Sequence, residues 1–314
     1  MPKFAFIFPG QGAQSVGMGR DFAEASESAR HVFEVFNRFT SADLSQVCFE
    51  GPEDALRRTR YTQPAILATA LAALTVFRER CALKPAYTAG HSLGEYGALY
   101  ASGAISLEGA ARLIQRRAQL MDAAPPGAMA AVLGLPEAQV DRALAEFPRE
   151  EVTVANYNAA DQAVISGAPQ GVAQASERLK EAGAKRVIPL AVGGAFHSPL
   201  MDAAAAEFTA FLANESFVDT LIPVIANVDA QPTTRGEQFR DKLGRQVNHS
   251  VLWSRTTRAL LGELGVDAII EFGPGRVLTG MIRKTYPDVR VYNVYDMASL
   301  EETLSALNAS APVA

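Results

Sequence analysis

Five residues, Gly90, His91, Ser92, Leu93 and Gly94, restrict the fold of this chain more than any other stretch of it. They follow a short β-forming run, Tyr87 to Ala89, and lead straight into helical sequence. A backbone that passes from strand to helix in so few residues turns sharply, and the flanking glycines let it do so. The turn projects Ser92 and aims the backbone N–H groups that follow it at any charge developing there, with Leu93 N–H as the expected first donor. A strand, tight turn and helix in that order belong to α/β architecture. A serine hydroxyl is a poor nucleophile near neutral pH, so it also needs a base and donors for the oxyanion it creates. The motif by itself does not separate a hydrolase from a transferase.

Two further segments bear on that chemistry. Lys3 to Phe8 reads as a buried strand that stops at Pro9 and Gly10. The loop after it, Gly10 to Gln14, resembles a dinucleotide loop only superficially, because Ser15 stands at the third glycine position and no acidic residue follows a second strand at the right interval. Its tight turn can instead bring Gln11 N–H to the oxyanion. Helical periodicity runs from Ala23 to Phe36, from Pro64 to Arg80, and from Leu107 to Met121. In the last of these Arg112, Gln115, Arg116, Gln119 and Asp122 form the polar face, whereas Arg117 falls among Ala110, Leu113, Ile114 and Met121 on the inward stripe. A guanidinium there needs an anion, and its planar fork suits a carboxylate. That carboxylate is either a substrate acyl group or a buried Asp or Glu; the sequence leaves both open.

The run Ala123 to Gly127 breaks the third helix, and the pattern changes. A strand (Ala128 to Leu135), a helix opened by Pro136 (to about Phe147), and strands Val152 to Asn156 and Gln162 to Ser166 come first. A helix (Gln170 to Ala182) and a strand (Lys185 to Val192) complete a βαββαβ order, the ferredoxin-like plan. Gly193 and Gly194 provide the exit, after which helix and strand alternate again. Residues 127–194 thus read as a small unit inserted into a large one, 1–126 and 195–314, with a frayed tail beyond Leu307.

Of four histidines, His31 sits in a charged amphipathic helix, His91 is held beside Ser92 with its ring expected to turn elsewhere, and His249 reads as structural. His197 is the expected base: Ser198 and Pro199 follow it as an N-cap and a first helical residue, and the helix dipole there favours a neutral ring. An α/β-hydrolase triad would place an acidic residue and then a late histidine after the serine. More than a hundred residues follow His197 and no acidic third member stands out, so a serine and histidine dyad, its ring oriented by a backbone or amide oxygen, is expected.

With 314 residues, 48% of them hydrophobic and 20% charged, the chain has the composition of an ordinary globular protein. A net charge of -5 without a basic stripe argues against nucleic acid. Cys48 and Cys81 lie far apart, in no disulfide or metal-binding spacing, which fits a reducing cytoplasm and no metal. The N-terminus lacks signal-peptide features, and the longest apolar stretch, Ala65 to Phe77, is short of the roughly 20 residues that span a membrane.

Taken together, FPGQGAQ (8 to 14), TQPA (62 to 65), GHSLGE (90 to 95), Arg117 in RRAQLM, AFHSPLM (195 to 201) and EFGPGRVLTG (271 to 280) resemble the malonyl-CoA:acyl carrier protein transacylases. The same elements recur in the acyltransferase domains of polyketide and fatty-acid synthases. The resemblance implies ping-pong transfer of malonyl from coenzyme A to Ser92 and on to the phosphopantetheine thiol of acyl carrier protein, with no cofactor and a monomeric enzyme. By the same resemblance His197 is base and then acid, the amides of Gln11 and Leu93 form the oxyanion hole, and Arg117 clamps the malonyl carboxylate. The Gln246 main-chain carbonyl would orient His197. Phe196 and Leu93 are similar to the malonyl-selecting versions of these motifs. The implied fold is an α/β-hydrolase-like large subdomain with the ferredoxin-like small one, the site lying between them. An acidic carrier protein calls for a local basic rim, for which Lys185, Arg186, Arg283 and Lys284 are candidates. A serine esterase or thioesterase, and a silent carrier-binding scaffold, are the alternatives.

Overall fold

The computed structural model describes residues 2–309, which form two β-sheets with helices packed against them. In chain order the strands are β1 (Phe4–Phe8), β2 (Tyr87–Gly90), β3 (Ala128–Leu133), β4 (Val152–Ala159) and β5 (Gln162–Gly167). They continue with β6 (Arg186–Pro189), β7 (Val224–Ile225), β8 (Pro232–Thr233), β9 (Ala268–Phe272) and β10 (Arg290–Val294).

The larger sheet has the order β10-β9-β1-β2-β7-β8, parallel throughout except for the antiparallel β7 and β8. Every residue of β1 is buried, as a parallel strand covered on both faces requires. Its side chains alternate between two apolar clusters: Phe6 and Phe8 pack with Phe77 and Phe272, whereas Ala5 and Ile7 pack with Ile225 and Trp253. Phe8 and Gly90 are partners in the β1 and β2 register, so the loops bearing Gln11 and Ser92 leave the sheet side by side. The carboxyl ends of parallel strands are where such sheets bind ligands.

The smaller sheet has the order β4-β5-β3-β6, antiparallel between all neighbours. Its helices, Glu137–Leu144 and Pro169–Glu181, each join two strands that flank a third, giving the expected βαββαβ order. It has an apolar cluster of its own, including Val132, Ile165 and Leu179. The smaller sheet touches segments packed around the larger one where Asn156 bridges Val251, where Tyr157 N–H donates to Val251 O (2.9 Å), and where Asp161, in the turn after β4, pairs with Lys284 (2.7 Å).

The structure differs from the pattern reading in particular places. The Ala23 to Phe36 helix is two, Arg20–Ala25 and Glu27–Asn37, because Ser26 is extended and caps the second by accepting from Ala29 N–H. The helix expected to open at Pro64 starts at Thr59, so the proline lies inside it and denies only the Arg60 carbonyl a donor, close to the helix end. The final helix, Met297–Ala309, carries past Leu307, and the rest of the tail expected to fray lies outside the described residues. Among the described residues no helix is long and apolar enough to cross a membrane.

Candidate active site

Ser92 sits where β2 turns into the Gly94–Ser102 helix. A Cβ on Gly90 would lie 2.0 Å from the Gly94 carbonyl carbon, and one on Gly94 would lie 2.1 Å from Phe8 O. The glycines are therefore required by the close approach of the helix to the sheet. The left-handed strain falls on Ser92 itself, at φ 52°. Three contacts hold it there: Ser92 N–H donates to Asn227 Oδ1 (2.7 Å), Asn227 Nδ2 donates to Gly90 O (2.7 Å), and Gln246 Nε2 donates to Ser92 O (3.0 Å).

His197 Nε2 lies 2.8 Å from Ser92 Oγ. Its Nδ1 faces two backbone carbonyls, Gln246 O at 2.8 Å and His249 O at 3.1 Å. Carbonyls only accept, so Nδ1 carries the proton and Nε2 presents a lone pair to the serine hydroxyl. Burial first, then the Arg117 charge, pushes the ring down to about 3, against the pull of the Gln246 carbonyl. The helix start after His197 is a 3₁₀ turn, Pro199–Met201, with Pro199 at its first position as expected. Ser198 does not cap it through its side chain but donates to Ala195 O (2.6 Å).

Arg117 is 1% exposed, on the inward face the periodicity assigned to it. Gln115, placed on the polar face by the same count, is also buried, whereas Arg112 and Arg116 on that face pair with Glu215 and Glu207. The Arg117 guanidinium donates to Gln63 Oε1 (2.6 Å), Gln246 Oε1 (2.9 Å) and Ser92 Oγ (2.9 Å), all uncharged oxygens. Its Nε is buried without a partner, and its charge lies 5.9 Å from the centre of the Tyr96 ring. The buried Asp or Glu that would have made Arg117 a structural ion pair is thus not in direct contact. Glu95 is the nearby carboxylate, and Gln246 stands between them: its Nε2 donates to Glu95 Oε2 (2.6 Å).

These groups face a cavity of about 480 Å³. Gln11, Leu93 and Phe196 all contribute to its wall beside Ser92, His197 and Arg117. Six of the residues singled out in the sequence thus line one cavity, and Gln246 stands behind them, in contact with His197, Arg117 and Ser92. His91 turns from the serine as expected, its Nε2 lying 2.8 Å from Asn158 Oδ1. Gln63, Asn227, Glu95 and the His249 carbonyl also belong to the site, and no spacing announced them. Gln63 and Glu95 stand inside noted motifs, yet nothing in their spacing showed what they touch; Asn227 lies in a loop with no pattern at all. Of the basic candidates, Lys185 and Arg186 are exposed, whereas Lys284 is paired with Asp161 and Arg283 donates to Val291 O (3.1 Å).

An acceptor-bearing imidazole on a strained serine hydroxyl, with a buried cation on the same oxygen, can form and discharge an ester of an anionic acyl group. Known proteins resemble this chain over nearly its whole length. Residues 5–304 match the acyl transferase domain family. The malonyl CoA-acyl carrier protein transacylase of Bacillus subtilis is 40% identical over 313 residues, 98% of either chain. An acyl-carrier-protein S-malonyltransferase structure from Bartonella henselae superposes with a TM-score of 0.92 at 37% identity, over 98% of this chain and 99% of that one. A malonyl-transacylase solved in complex with its type II polyketide acyl-carrier protein does so with a TM-score of 0.92 at 37% identity, over 97% and 99%.

Proposed function

This chain belongs to the acyl transferase domain family, and on that premise we propose that it carries malonyl from malonyl-CoA to the phosphopantetheine thiol of an acyl carrier protein, by a ping-pong route through Ser92. In the first half, His197 Nε2 takes the hydroxyl proton as Oγ attacks the thioester carbonyl. The Gln11 and Leu93 amides receive the oxyanion. Collapse of the tetrahedral intermediate breaks the C–S bond, and His197 returns the proton to the departing coenzyme A thiolate. In the second half the carrier thiol gives its proton to His197 and attacks the malonyl ester, and the proton passes back to Ser92 Oγ. Every atom and proton is accounted for without a cofactor or metal.

The observation that carries the malonyl assignment is the contact of Arg117 with Ser92 Oγ (2.9 Å). In a malonyl ester the free carboxylate lies two carbons from the acyl oxygen, so a cation beside Oγ reaches a short dicarboxylic acyl group and gains nothing from acetyl. Phe196 and Leu93 close the wall against branched acyl groups. The domain reading supports this use of the molecule: residues 127–194 as the ferredoxin-like insert, 1–126 and 195–314 as the α/β-hydrolase-like body, and the cleft as the site of a monomeric, cytoplasmic enzyme. Lys185 and Arg186 are the favoured contacts for the carrier.

Replacing Arg117 with Ala tests the assignment. Malonyl transfer is expected to fall about 100-fold, the worth of a charge-assisted pair, while acetyl transfer is kept or raised. Equal loss toward both acyl groups would contradict the carboxylate role.

A further inference from the structure

Glu95 is used by none of the steps above. It lies in the Gly94–Ser102 helix, 2% exposed, and its Oε2 accepts from Gln246 Nε2 (2.6 Å) and from Asn227 N–H (3.1 Å). The two ends of the Gln246 amide do different work: Nε2 serves Glu95 and the Ser92 carbonyl, whereas Oε1 accepts from Arg117 Nη2. An ionised carboxylate can only accept hydrogen bonds. It therefore admits one orientation of that amide, because a flipped Gln246 would set its oxygen against the carboxylate and its NH₂ against the guanidinium.

We infer that Glu95 is a positioning residue for acyl selection: as a carboxylate it fixes the Gln246 amide, and through that amide the aim of Arg117 beside Ser92. This deepens the malonyl-transfer reading and rests on it. The charged and titratable groups facing Glu95 are Tyr96 on its own helix, Arg117 on the Leu107–Asp122 helix, Lys242 on the Gly236–Gln246 helix, and Asp229. Asp229 and Lys242 pair with each other at 2.8 Å. His197 is linked through the Gln246 main chain. Burial pushes the Glu95 carboxyl up to about 7 and Asp229 adds to it, against the hydrogen bonds from Gln246 and Asn227 and the Lys242 charge. As pH falls through about 7 the group gains a proton, becomes a possible donor, and ceases to dictate the amide. His197, held neutral down to about 3, does not titrate in that window.

The test compares kcat/KM for malonyl-CoA and acetyl-CoA on either side of neutrality in the wild type, in Glu95→Gln, in Gln246→Leu, which keeps the carbonyl that orients His197, and in the double variant. Thermal melting of each checks folding. The wild type is expected to gain malonyl activity as pH rises through about 7, with little such change for acetyl. Glu95→Gln should lose that limb, with malonyl kcat/KM about tenfold lower above neutrality, chiefly through KM. Added to Gln246→Leu, it should lower malonyl selectivity no further. A limb that survives in Glu95→Gln, equal loss toward both acyl groups, or additive losses in the double variant would overturn the inference. A wild type that forms no malonyl adduct on Ser92 is a different result, since it removes the transfer itself.

Discussion

At the scale of single residues, the site is a balance of buried groups that solvent would otherwise settle. His197 shows how burial serves chemistry at a cost to stability in acid. Its folded pKa is depressed to about 3, so in the pH range between there and the ordinary 6.5 the unfolded chain binds a proton that the native protein refuses. The stability this group confers is complete above 6.5 and is lost as pH falls toward 3. Going from pH 8 to pH 5 should remove about 2 kcal/mol on this account. Urea unfolding at both pH values should show that much less acid loss in His197→Gln than in the wild type. His91, also depressed by burial, destabilises in the same direction and remains in both proteins. Sequence reading singled out His197 but assigned its neutrality to a helix dipole; burial and then the Arg117 charge, which one sequence does not display, are what lower it. Arg117 was legible because a charge on an apolar stripe is an exception to a period. Gln63 was not, since its helix is buried on nearly all sides and offers no stripe to interrupt.

At the scale of elements, position in the sheet explains what the motif spells. Gly94 is glycine because its helix touches the Phe8 carbonyl, so Gly94→Ala should destabilise by about 3 kcal/mol or more through overpacking. Gly280, in the Val277–Thr285 helix, has open space where a Cβ would go, and Gly280→Ala should stabilise by about 0.5 kcal/mol or more. Denaturant midpoints of the two variants, moving in opposite directions, check the geometry; a tolerated Gly94→Ala would contradict it. Strands and helices with a clear period were legible to within a few residues, as Leu107–Asp122 and the elements of the smaller sheet show. Boundaries went astray where one residue sent a misleading signal. Pro64 reads as a helix start but is carried inside a helix, and Ser26 reads as a helical residue but caps one.

At the scale of the whole molecule, residues distant in sequence meet because two sheets share a cleft. The serine comes from the end of β2, the cation from the helix that leads toward the smaller sheet, and the imidazole from the chain just after it returns. The smaller sheet was legible as a change of pattern between the Ala123 to Gly127 break and the Gly193 and Gly194 pair. The contacts it makes, such as His91 with Asn158 and Asn156 with Val251, were not, because no local rule pairs residues so far apart. On the proposed ping-pong route the serine has two successive partners, a coenzyme A thioester and a carrier thiol, and its acyl ester waits for the second. The most direct measurement is therefore the mass of the intact protein after exposure to malonyl-CoA, with the modified peptide mapped. One malonyl group is expected on Ser92, lasting until phosphopantetheinylated carrier protein is added and then passing to it. Rapid release of free malonate without carrier would mark an esterase or thioesterase, and a folded protein that takes up no malonyl would leave a binding scaffold; either result would contradict the account.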